Sequence, residues 1–499
     1  MTRIRKILVA NRGEIALRIM RSARELGIST VAIYSEADRA APHTRYADEA
    51  VCVGEAASSQ SYLNAANILE LCKALNVDAI HPGYGFLSEN ADFARKVHEE
   101  GLVFIGPSPE SIRLMGDKLA SKQAVSRYNI PLVPGTDQEI KDLSEAKIIA
   151  GNIGYPVLIK ASAGGGGKGM RIARSEKELD DEINTAINEA TSAFGNGAVF
   201  MEKYIESNKH IEVQVLGDQK GNIIHLFERE CSIQRRHQKL IEEAPSISID
   251  VETRNEIAKT AVEVARACHY YGAGTVEFIY ADGMFYFLEM NTRLQVEHPV
   301  TELITGVDLV KEQIAIAEGK AISLIQENVH IKGHSIEVRV YAEDPDRNFL
   351  PDIGHLTTYI RPSGVGVRID DGYDEGMKVP IYYDPMLAKL ITYGETRDEA
   401  RQRLIRAIDE YQVNGIKTTL PFCKFVVDHP VFRDGSFDTS FIESYLDDYI
   451  KSKGQPEDRS VAALMGVVLS EQEGKRAHES HAAPNGSSNW RNRLKEWQQ

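Results

Sequence analysis

A glycine-rich segment flanked by lysines is the first feature of the sequence that could do chemistry. Gly164 to Gly169 reads Gly-Gly-Gly-Gly-Lys-Gly, and Lys160 lies at the end of the apolar run before it. Glycines allow positive φ values that point backbone N–H groups at an anion. The segment is therefore predicted to be a phosphate-binding flap. It is not a Walker loop, which needs Ser or Thr where Gly169 stands. A flexible linker is the alternative, but apolar, strand-like neighbours favour the flap.

Two glutamates and an asparagine form a second candidate group. Glu277 and Glu289 lie in strand-like runs joined through Asp282-Gly283, a hairpin signal. If Glu277 faces Glu289, the two carboxylates share one side of the hairpin about 5 Å apart, and Asn291 joins them. A two-residue turn would instead place them on opposite faces, so both arrangements stay open. Grouped beside a phosphate loop, these oxygen donors predict a Mg²⁺ site.

The polar run from Asn291 to Pro299 directly follows this candidate metal strand. Its arginine, Arg293, could clamp an anion, and its carboxylate, Glu297, could transfer a proton. A basic cluster, Ser232 to Lys239, adds positive charge. A nucleic-acid patch is the competing interpretation of that cluster, but the cluster has no interleaved aromatic residues.

The elements that must position these residues fall into three blocks. The first hundred residues alternate short apolar runs with helical patterns, which predicts a parallel sheet with helices on both faces. The segment Asn11-Arg12-Gly13-Glu14 supplies one glycine where a dinucleotide fingerprint needs three, so NAD binding is not expected. A helix is predicted from Ser111 to Tyr128, and Ser175 with Glu178 forms a predicted capping box.

The later blocks are richer in strands. The predicted strands of the second block indicate an α+β domain with an antiparallel sheet and lie at residues 155–160, 198–204, 211–216, 222–227, 275–280 and 284–290. The third block begins near Gly333, with predicted strands at 335–342, 356–360, 366–369 and 386–392 and a closing helix at 397–412.

Composition narrows the classes of function. The 499 residues include 58 Lys plus Arg against 73 Asp plus Glu, a net charge of −15, which disfavours general attraction to nucleic acid or anionic lipid. Five dispersed cysteines fit neither a zinc site nor a disulfide scaffold. The apolar run near the N-terminus stops at Asn11 and is too short for a signal core or a membrane span. We expect a cytoplasmic protein with no membrane or nucleic-acid partner.

Several long motifs resemble a known family. Tyr155 to Gly169 and Phe287 to Leu294 resemble the paired ATP-grasp signatures. The motifs that are similar to biotin carboxylase in particular are Val9 to Ala16, His81 to Asn90, Met201 to Tyr204, Arg235 to Lys239 and Gln295 to Glu302. The resemblance extends from about Ile4 to Tyr445.

The resemblance implies a multidomain α/β and α+β fold. A Rossmann-like N-terminal domain would cover 1–115, an ATP-grasp domain 116–330, a β-rich C-terminal domain 331–446, and a tail 447–499. It also implies the reaction: ATP phosphorylates bicarbonate to carboxyphosphate, and the carboxyl group then passes to biotin on a carrier.

The resemblance further implies roles for single residues. The residues that would bind ATP are Lys118, Lys160, Gly166, Gly167, Glu202, Lys203, Tyr204, Ile205, His210, His237, Glu277 and Glu289. Mg²⁺ or Mn²⁺, with two ions expected, would be bound by Glu277, Glu289 and Asn291.

At the other end of the implied site, bicarbonate would be bound by Lys239, Arg293 and the backbone of Val296. Glu297 would remove the bicarbonate proton, and Arg339 would stabilise the biotin enolate. These four side chains would be the catalytic residues.

The implied partners are separate chains. The string nearest to a biotinylation motif, Gly376-Met377-Lys378-Val379, lies inside the third block, so Lys378 is not expected to carry biotin. We therefore expect a biotin carboxyl carrier protein and a carboxyltransferase subunit. The resemblance also implies a homodimer, with Arg21, Glu25 and residues 366–368 near the interface.

One leading hypothesis and three alternatives to it stay open at this stage. The leading hypothesis is the biotin carboxylase subunit of an acetyl-CoA or other acyl-CoA carboxylase, and the corresponding subunit of a two-subunit pyruvate carboxylase is the alternative. Another ATP-grasp carboxylate ligase and a non-catalytic nucleotide-binding regulator are the others. The presence of Glu297 and Arg339 argues against the regulator.

The tail contains both tryptophans of the chain. Trp490, Leu494 and Trp497 fall at i, i+4 and i+7, which predicts one apolar stripe on a short helix after a polar linker. So short a helix needs a surface to cover. It could fold back on its own core, or it could dock onto a carboxyltransferase or carrier subunit.

Overall fold

The computed structural model describes residues 3–136, 138–140, 142–162, 170–195, 197–453 and 464–465. The chain separates into a large unit, Met1–Ser444, and a second unit, Tyr445–Gln499. Gly166 and Gly167 of the predicted flap and the tryptophans of the predicted tail helix lie outside the described residues. Within the described ranges, none of the helices combines the length and the apolar character that a membrane span needs.

The N-terminal block is a parallel sheet with helices on both faces, as predicted. Its elements are β1 (Lys6–Val9), α1 (Gly13–Glu25), β2 (Ser29–Ser35), α2 (Pro42–Tyr46), β3 (Glu49–Gly54), α3 (Ala65–Ala74), β4 (Ala79–His81), α4 (Ala91–Glu99) and β5 (Val103–Phe104). The strand order is β3-β2-β1-β4-β5, and every neighbouring pair is parallel. Apolar side chains on both faces of the sheet are buried, because helices cover both faces.

The central block begins with a helical segment and a small antiparallel sheet, β7-β6-β8. Its elements are α5 (Pro109–Gly116), α6 (Lys118–Ser126), α7 (Leu143–Ile153), β6 (Val157–Ala161), β7 (Arg171–Ala173), α8 (Glu176–Phe194) and β8 (Val199–Lys203).

Two local predictions in this block were wrong. The predicted helix 111–128 is two helices, because the Asp117 side chain accepts hydrogen bonds from the backbone N–H groups of Leu119 and Ala120 and starts α6 there. The capping box at α8 does not form: the Ser175 side chain makes no capping bond, and Glu178 accepts from the backbone N–H of Arg174 instead.

A second, larger sheet runs through the rest of the large unit, and the last helix of this region continues into the second unit. The elements of this region are β9 (Lys209–Gly217), β10 (Ile223–Arg235), β11 (Gln238–Ala244), α9 (Val251–Ala267), β12 (Gly272–Ala281), β13 (Met284–Asn291), α10 (His298–Thr305), α11 (Leu309–Ala317), β14 (His334–Tyr341), β15 (Glu343–Asp344), β16 (Leu350–Pro351), β17 (Thr358–Ile360), β18 (Val367–Asp371), β19 (Met386–Gly394), α12 (Arg397–Glu410), β20 (Gln412–Asn414), α13 (Leu420–Asp428), α14 (Pro430–Asp434) and α15 (Phe441–Ser452).

The larger sheet joins the second and third predicted blocks. Its eight antiparallel strands have the order β13-β12-β9-β10-β11-β14-β19-β18. At the junction between β11 and β14, Glu242 lies directly opposite Glu337. Polar side chains that are far apart in the sequence are therefore carried by neighbouring strands of one sheet.

The hairpin β12–β13 settles the geometry that the sequence left open. Its turn is the predicted Asp282-Gly283 pair, since the residues on either side of that pair are partners. An unbroken ladder from this turn would place Glu277 opposite Leu288. A β-bulge between the turn and Glu277 shifts the register by one residue, so Glu277 lies opposite Glu289. The two carboxylates therefore share one face of the hairpin.

A close backbone contact fixes the third block against the start of α1. A Cβ atom added at Gly372, directly after β18, would lie 2.7 Å from Gly13 Cα and 2.8 Å from Glu14 N. These are backbone atoms, so a larger residue cannot be accommodated by rotation of a side chain. We expect Gly372→Ala to lower the free energy of unfolding by about 1–3 kcal/mol, measured by urea denaturation.

The matched control is Gly151→Ala in α7, where an added Cβ meets no heavy atom within 4 Å. Alanine is the better helix former, so the control should keep or gain up to about 1 kcal/mol. Equal unfolding midpoints for the two variants would contradict the close-contact argument.

Candidate active site

One buried ammonium group holds the centre of the site together. Lys239, on β11, places Nζ 2.8 Å from Glu297 Oε1 and 3.1 Å from Glu277 Oε1, and it also contacts Glu212 on β9. Burial lowers the pKa of Lys239, but these three carboxylates raise it to a net value well above its usual range. The ammonium therefore stays charged at any working pH.

The Glu297 carboxylate lies between two cations. One oxygen accepts from Lys239, and the other lies 3.0 Å from Arg339 Nη2. Burial raises the pKa of Glu297, whereas Lys239 and Arg339 lower it, and the net shift is downward. The group is therefore ionised at neutral pH and free to accept a proton.

Arg339 is oriented by a residue that sequence reasoning missed. Its Nε lies 2.6 Å from Oε1 of Glu242 on β11, and its Nη1 lies 3.3 Å from the hydroxyl of Tyr341. The guanidinium is thus held along one edge, and Nη2 reaches Glu297. Since β11 and β14 are neighbours in the sheet, this pairing follows from a strand junction that sequence alone did not indicate.

Arg229 on β10 is a second missed residue, fully buried beneath the centre. Its Nε lies 2.6 Å from Glu212 Oε1, and its Nη2 lies 2.5 Å from Gln295 Oε1. Further bonds join the guanidinium to Gln214, Thr275 and Thr301. An arginine inside a strand with an acidic residue on each side was the available signal.

The predicted metal ligands lie together at the edge of the sheet. Glu277 and Glu289 are direct partners, and Asn291 donates to Glu277 Oε1 at 2.8 Å. Burial raises the pKa of Glu289, and the facing Glu277 raises it further. The two opposed acids fit Mg²⁺, which favours oxygen donors. The amide oxygen of Asn291 accepts from Arg293, so Asn291 would have to turn to serve as a third ligand.

His210, a predicted nucleotide residue, lies beneath these ligands. Its Nε2 is 3.0 Å from Glu277 Oε2 and 3.7 Å from Glu212 Oε2. Burial lowers the pKa of His210, but Glu277 raises it, and the result is about 9. The ring is therefore a cation at neutral pH.

The other predicted nucleotide residues gather around β6, β8 and the adjoining turns. Lys160 Nζ lies 2.5 Å from Glu202 Oε2. Lys203 donates to the backbone carbonyls of Gly154 and Tyr155 at 3.0 and 2.9 Å, so its ammonium is held by the backbone. Four other predicted nucleotide residues lie at the ends of elements or in turns. Lys118 begins α6, Tyr204 and Ile205 follow β8, and His237 lies in the turn between β10 and β11.

Arg293 faces the N-terminal block. Its Nε lies 2.8 Å from Oε2 of Glu89, a further residue that sequence reasoning did not select, and its Nη2 lies 2.8 Å from Asn291 Oδ1. Glu89 belongs to the motif His81 to Asn90. The N-terminal block thus contributes to the same site as the large sheet.

Paired acids and lysines at the edge of an antiparallel sheet, in a chain whose sequence also carries a glycine-rich segment, are typical of an ATP-grasp ligase. Family profiles agree with this class. The chain matches "Biotin carboxylase, N-terminal domain" over residues 3–112, "Carbamoyl-phosphate synthase L chain, ATP binding domain" over 117–325 and "Biotin carboxylase C-terminal domain" over 337–444. The chain belongs to the biotin carboxylase family.

Individual proteins show the same similarity. Biotin carboxylase 1 of Bacillus subtilis is 53% identical over 444 residues, which cover 89% of this chain and 99% of that protein. A pyruvate carboxylase subunit of Methanothermobacter thermautotrophicus is 52% identical over 440 residues, which cover 88% of this chain and 90% of that protein.

A solved structure extends the comparison to the fold. The biotin carboxylase domain dimer of Hydrogenobacter thermophilus 2-oxoglutarate carboxylase, in complex with MgADP, ADP and bicarbonate, has a TM-score of 0.87 and 49% identity. The match covers 90% of this chain and 99% of that one. The three-domain architecture and the assignment as a carboxylating ligase, the biotin carboxylase component of a biotin-dependent carboxylase, are thereby confirmed.

The buried position of Arg229 generates a stability prediction. Arg229→Met removes one partner of the buried Arg229–Glu212 pair and leaves the carboxylate with fewer cations, which should cost about 3–5 kcal/mol of unfolding free energy. The control, Arg113→Met, breaks a solvent-exposed ion pair of 3.5 Å to Asp92 and should cost less than about 1 kcal/mol. Chemical denaturation of both variants checks the difference; similar losses would refute the central role of Arg229.

Proposed function

We propose that this chain uses ATP to activate bicarbonate as carboxyphosphate and then carboxylates biotin on a separate carrier protein. The observation that carries the proposal is the Glu297 carboxylate, which has a separate cation at each oxygen. A base placed between an ammonium and a guanidinium can take a proton from an anion, because the two cations offset the charge that gathers there.

The first step is activation of bicarbonate. Bicarbonate is a weak nucleophile, and it would lie against Lys239, Arg293 and the backbone N–H of Val296 while Glu297 takes its proton. The bicarbonate oxygen then forms a bond to the γ-phosphorus of ATP, and the bond from that phosphorus to the ADP oxygen breaks. Such a transfer needs position and positive charge more than covalent help.

The nucleotide would lie along β6 and β8, with Lys118, Lys160 and the glycine segment at its phosphates. Mg²⁺ or Mn²⁺, as two ions, would be held by Glu277, Glu289 and Asn291. When bound, these ions neutralise charge on the phosphate oxygens. Since the intermediate hydrolyses readily, exclusion of water by the flap is part of the proposal.

The second step involves Arg339. As carboxyphosphate breaks down, phosphate leaves and takes the proton of the ureido nitrogen of biotin, and that nitrogen forms a bond to the carboxyl carbon. The guanidinium of Arg339 would stabilise the negative charge on the ureido oxygen. Its Nε bond to Glu242 supports this role, because it fixes the direction of the guanidinium beside the Glu297 carboxylate.

The proposed partners are a biotin carboxyl carrier protein, a carboxyltransferase and a second copy of this chain. The second copy would contact this chain near Arg21, Glu25 and residues 366–368, and the neighbouring Val365 is 80% exposed. The domain bounds 1–115, 116–330, 331–446 and 447–499 belong to the same proposal.

For the final acceptor we propose acetyl-CoA or another acyl-CoA. Pyruvate is the second candidate, because the pyruvate carboxylase relative is nearly as similar as a biotin carboxylase, 52% against 53% identity. Isolation of the chains that co-purify with this one, followed by carboxylation assays with each acceptor, separates the two candidates.

Glu297→Gln and Arg339→Ala should separate the two steps. The amide keeps the size of Glu297 but cannot accept the proton, so Glu297→Gln should lower bicarbonate-dependent ATP hydrolysis at least about 100-fold, with ATP binding near normal. Arg339→Ala should keep much of that ATPase activity and lose carboxybiotin formation. Free biotin is a suitable acceptor for both assays, and equal loss of both activities in both variants would contradict the division.

Glu289→Gln tests the metal site. Loss of one of the few anionic ligands should raise the Mg²⁺ concentration needed for half-maximal ATP hydrolysis about tenfold or more. The control variant for this metal titration is Glu182→Gln, because Glu182 lies on α8 and outside the site. A metal titration of Glu289→Gln that overlays that of the wild type would refute the assignment.

A further inference from the structure

Two buried side chains hold the Gln295-Val296-Glu297 segment through its carbonyl oxygens. The Gln295 carbonyl accepts a hydrogen bond from His298 Nδ1 at 2.8 Å. The Val296 carbonyl accepts one from Lys389 Nζ at 2.9 Å. Both His298 and Lys389 are fully buried, and the mechanism above uses neither.

These contacts determine the direction of the peptide groups. In a trans peptide the C=O and N–H bonds point in opposite directions. A bond from His298 to the Gln295 carbonyl therefore turns the N–H of Val296 away from His298. The side chains of Gln295 and Glu297 show which way the segment faces, because they contact Glu277 and Lys239 of the active site at 2.8 Å.

We propose that His298 and Lys389 are positioning residues that fix the segment so that the Val296 N–H and the Glu297 carboxylate face one bicarbonate ion. The inference rests on the proposed function and deepens it. Part of bicarbonate recognition is thereby assigned to the Val296 N–H, whose direction is set by the buried side chains behind the segment.

The surroundings of Lys389 suit a fixed role. Lys389, on β19, lies 3.2 Å from Glu14 Oε2 and 3.8 Å from Asp370 Oδ2. Glu14 in turn accepts a hydrogen bond from Tyr84. The charge of the buried ammonium is thus balanced from α1 and β18, and its bond to Val296 ties the segment to both elements.

The state of His298 suits the same role. Burial lowers the pKa of His298 well below its usual range, and the cations Lys389, Arg18 and Arg368 lower it further, so the ring is neutral. A carbonyl can only accept, so the single ring proton lies on Nδ1. Loss of that donor would leave the buried Gln295 carbonyl with only a longer hydrogen bond, 3.4 Å, from the backbone N–H of His298.

The test uses the leucine and asparagine variants of His298 in the full-length enzyme. Leucine removes the donor, whereas the asparagine amide nitrogen can occupy the place of Nδ1. His298→Leu should raise the KM for bicarbonate about tenfold, with the KM for ATP within about twofold of wild type. His298→Asn should restore the bicarbonate KM to within about threefold. Lys389→Met tests the other carbonyl and should also raise the bicarbonate KM selectively.

The outcomes separate this inference from the proposed function. An unchanged bicarbonate KM in both His298→Leu and Lys389→Met, with wild-type enzyme active, overturns the inference alone. A parallel rise in both KM values that asparagine does not rescue also overturns it, because general damage would explain that result. If the wild type shows no bicarbonate-dependent ATP hydrolysis, the proposed function fails and the inference fails with it.

Discussion

The site depends on the mutual compensation of charges that are buried on one sheet. Removal of an ion from water costs several kcal/mol, so a buried charge is tolerated only with partners of good geometry. Arg229 and Lys239 meet this need for Glu212, and Lys239 and Arg339 meet it for Glu297. Each cation is shared between at least two acceptors. Displacement of any one of them therefore disturbs the whole cluster.

This sharing explains why the eight-stranded sheet spans two blocks of the chain. Glu297 pairs with a lysine on β11 and an arginine on β14, and these strands are neighbours only because the two blocks form one sheet. The N-terminal block is joined to the same cluster by Glu89 and Glu14. Under the proposed function, a site assembled from three blocks would hold nucleotide, bicarbonate and biotin and bring their reacting atoms together.

Sequence patterns predicted the fold class and the main polar motifs but not the pairing between them. Alternation and turn signals indicated the parallel sheet and the Asp282-Gly283 hairpin. They could not indicate the bulge that places Glu277 opposite Glu289, since a bulge changes the register without changing the turn. Glu242 and Arg229 were missed for a related reason: strand patterns show which face a residue is on, not which strand lies beside it. The break at Asp117 was missed because helical periodicity continues across a well-capped junction.

The different roles proposed for side chains and for the backbone follow from the small size of bicarbonate. Bicarbonate has only four heavy atoms, so it offers few contacts from which its orientation can be fixed. Lysine and arginine side chains supply charge, but each has many rotamers, and ordering it in one of them costs entropy. A peptide N–H has no rotamer of its own, and its direction is set once the neighbouring carbonyls are held. In the proposed mechanism, charge from side chains and direction from the backbone would together define one geometry for proton removal, which neither source could define alone.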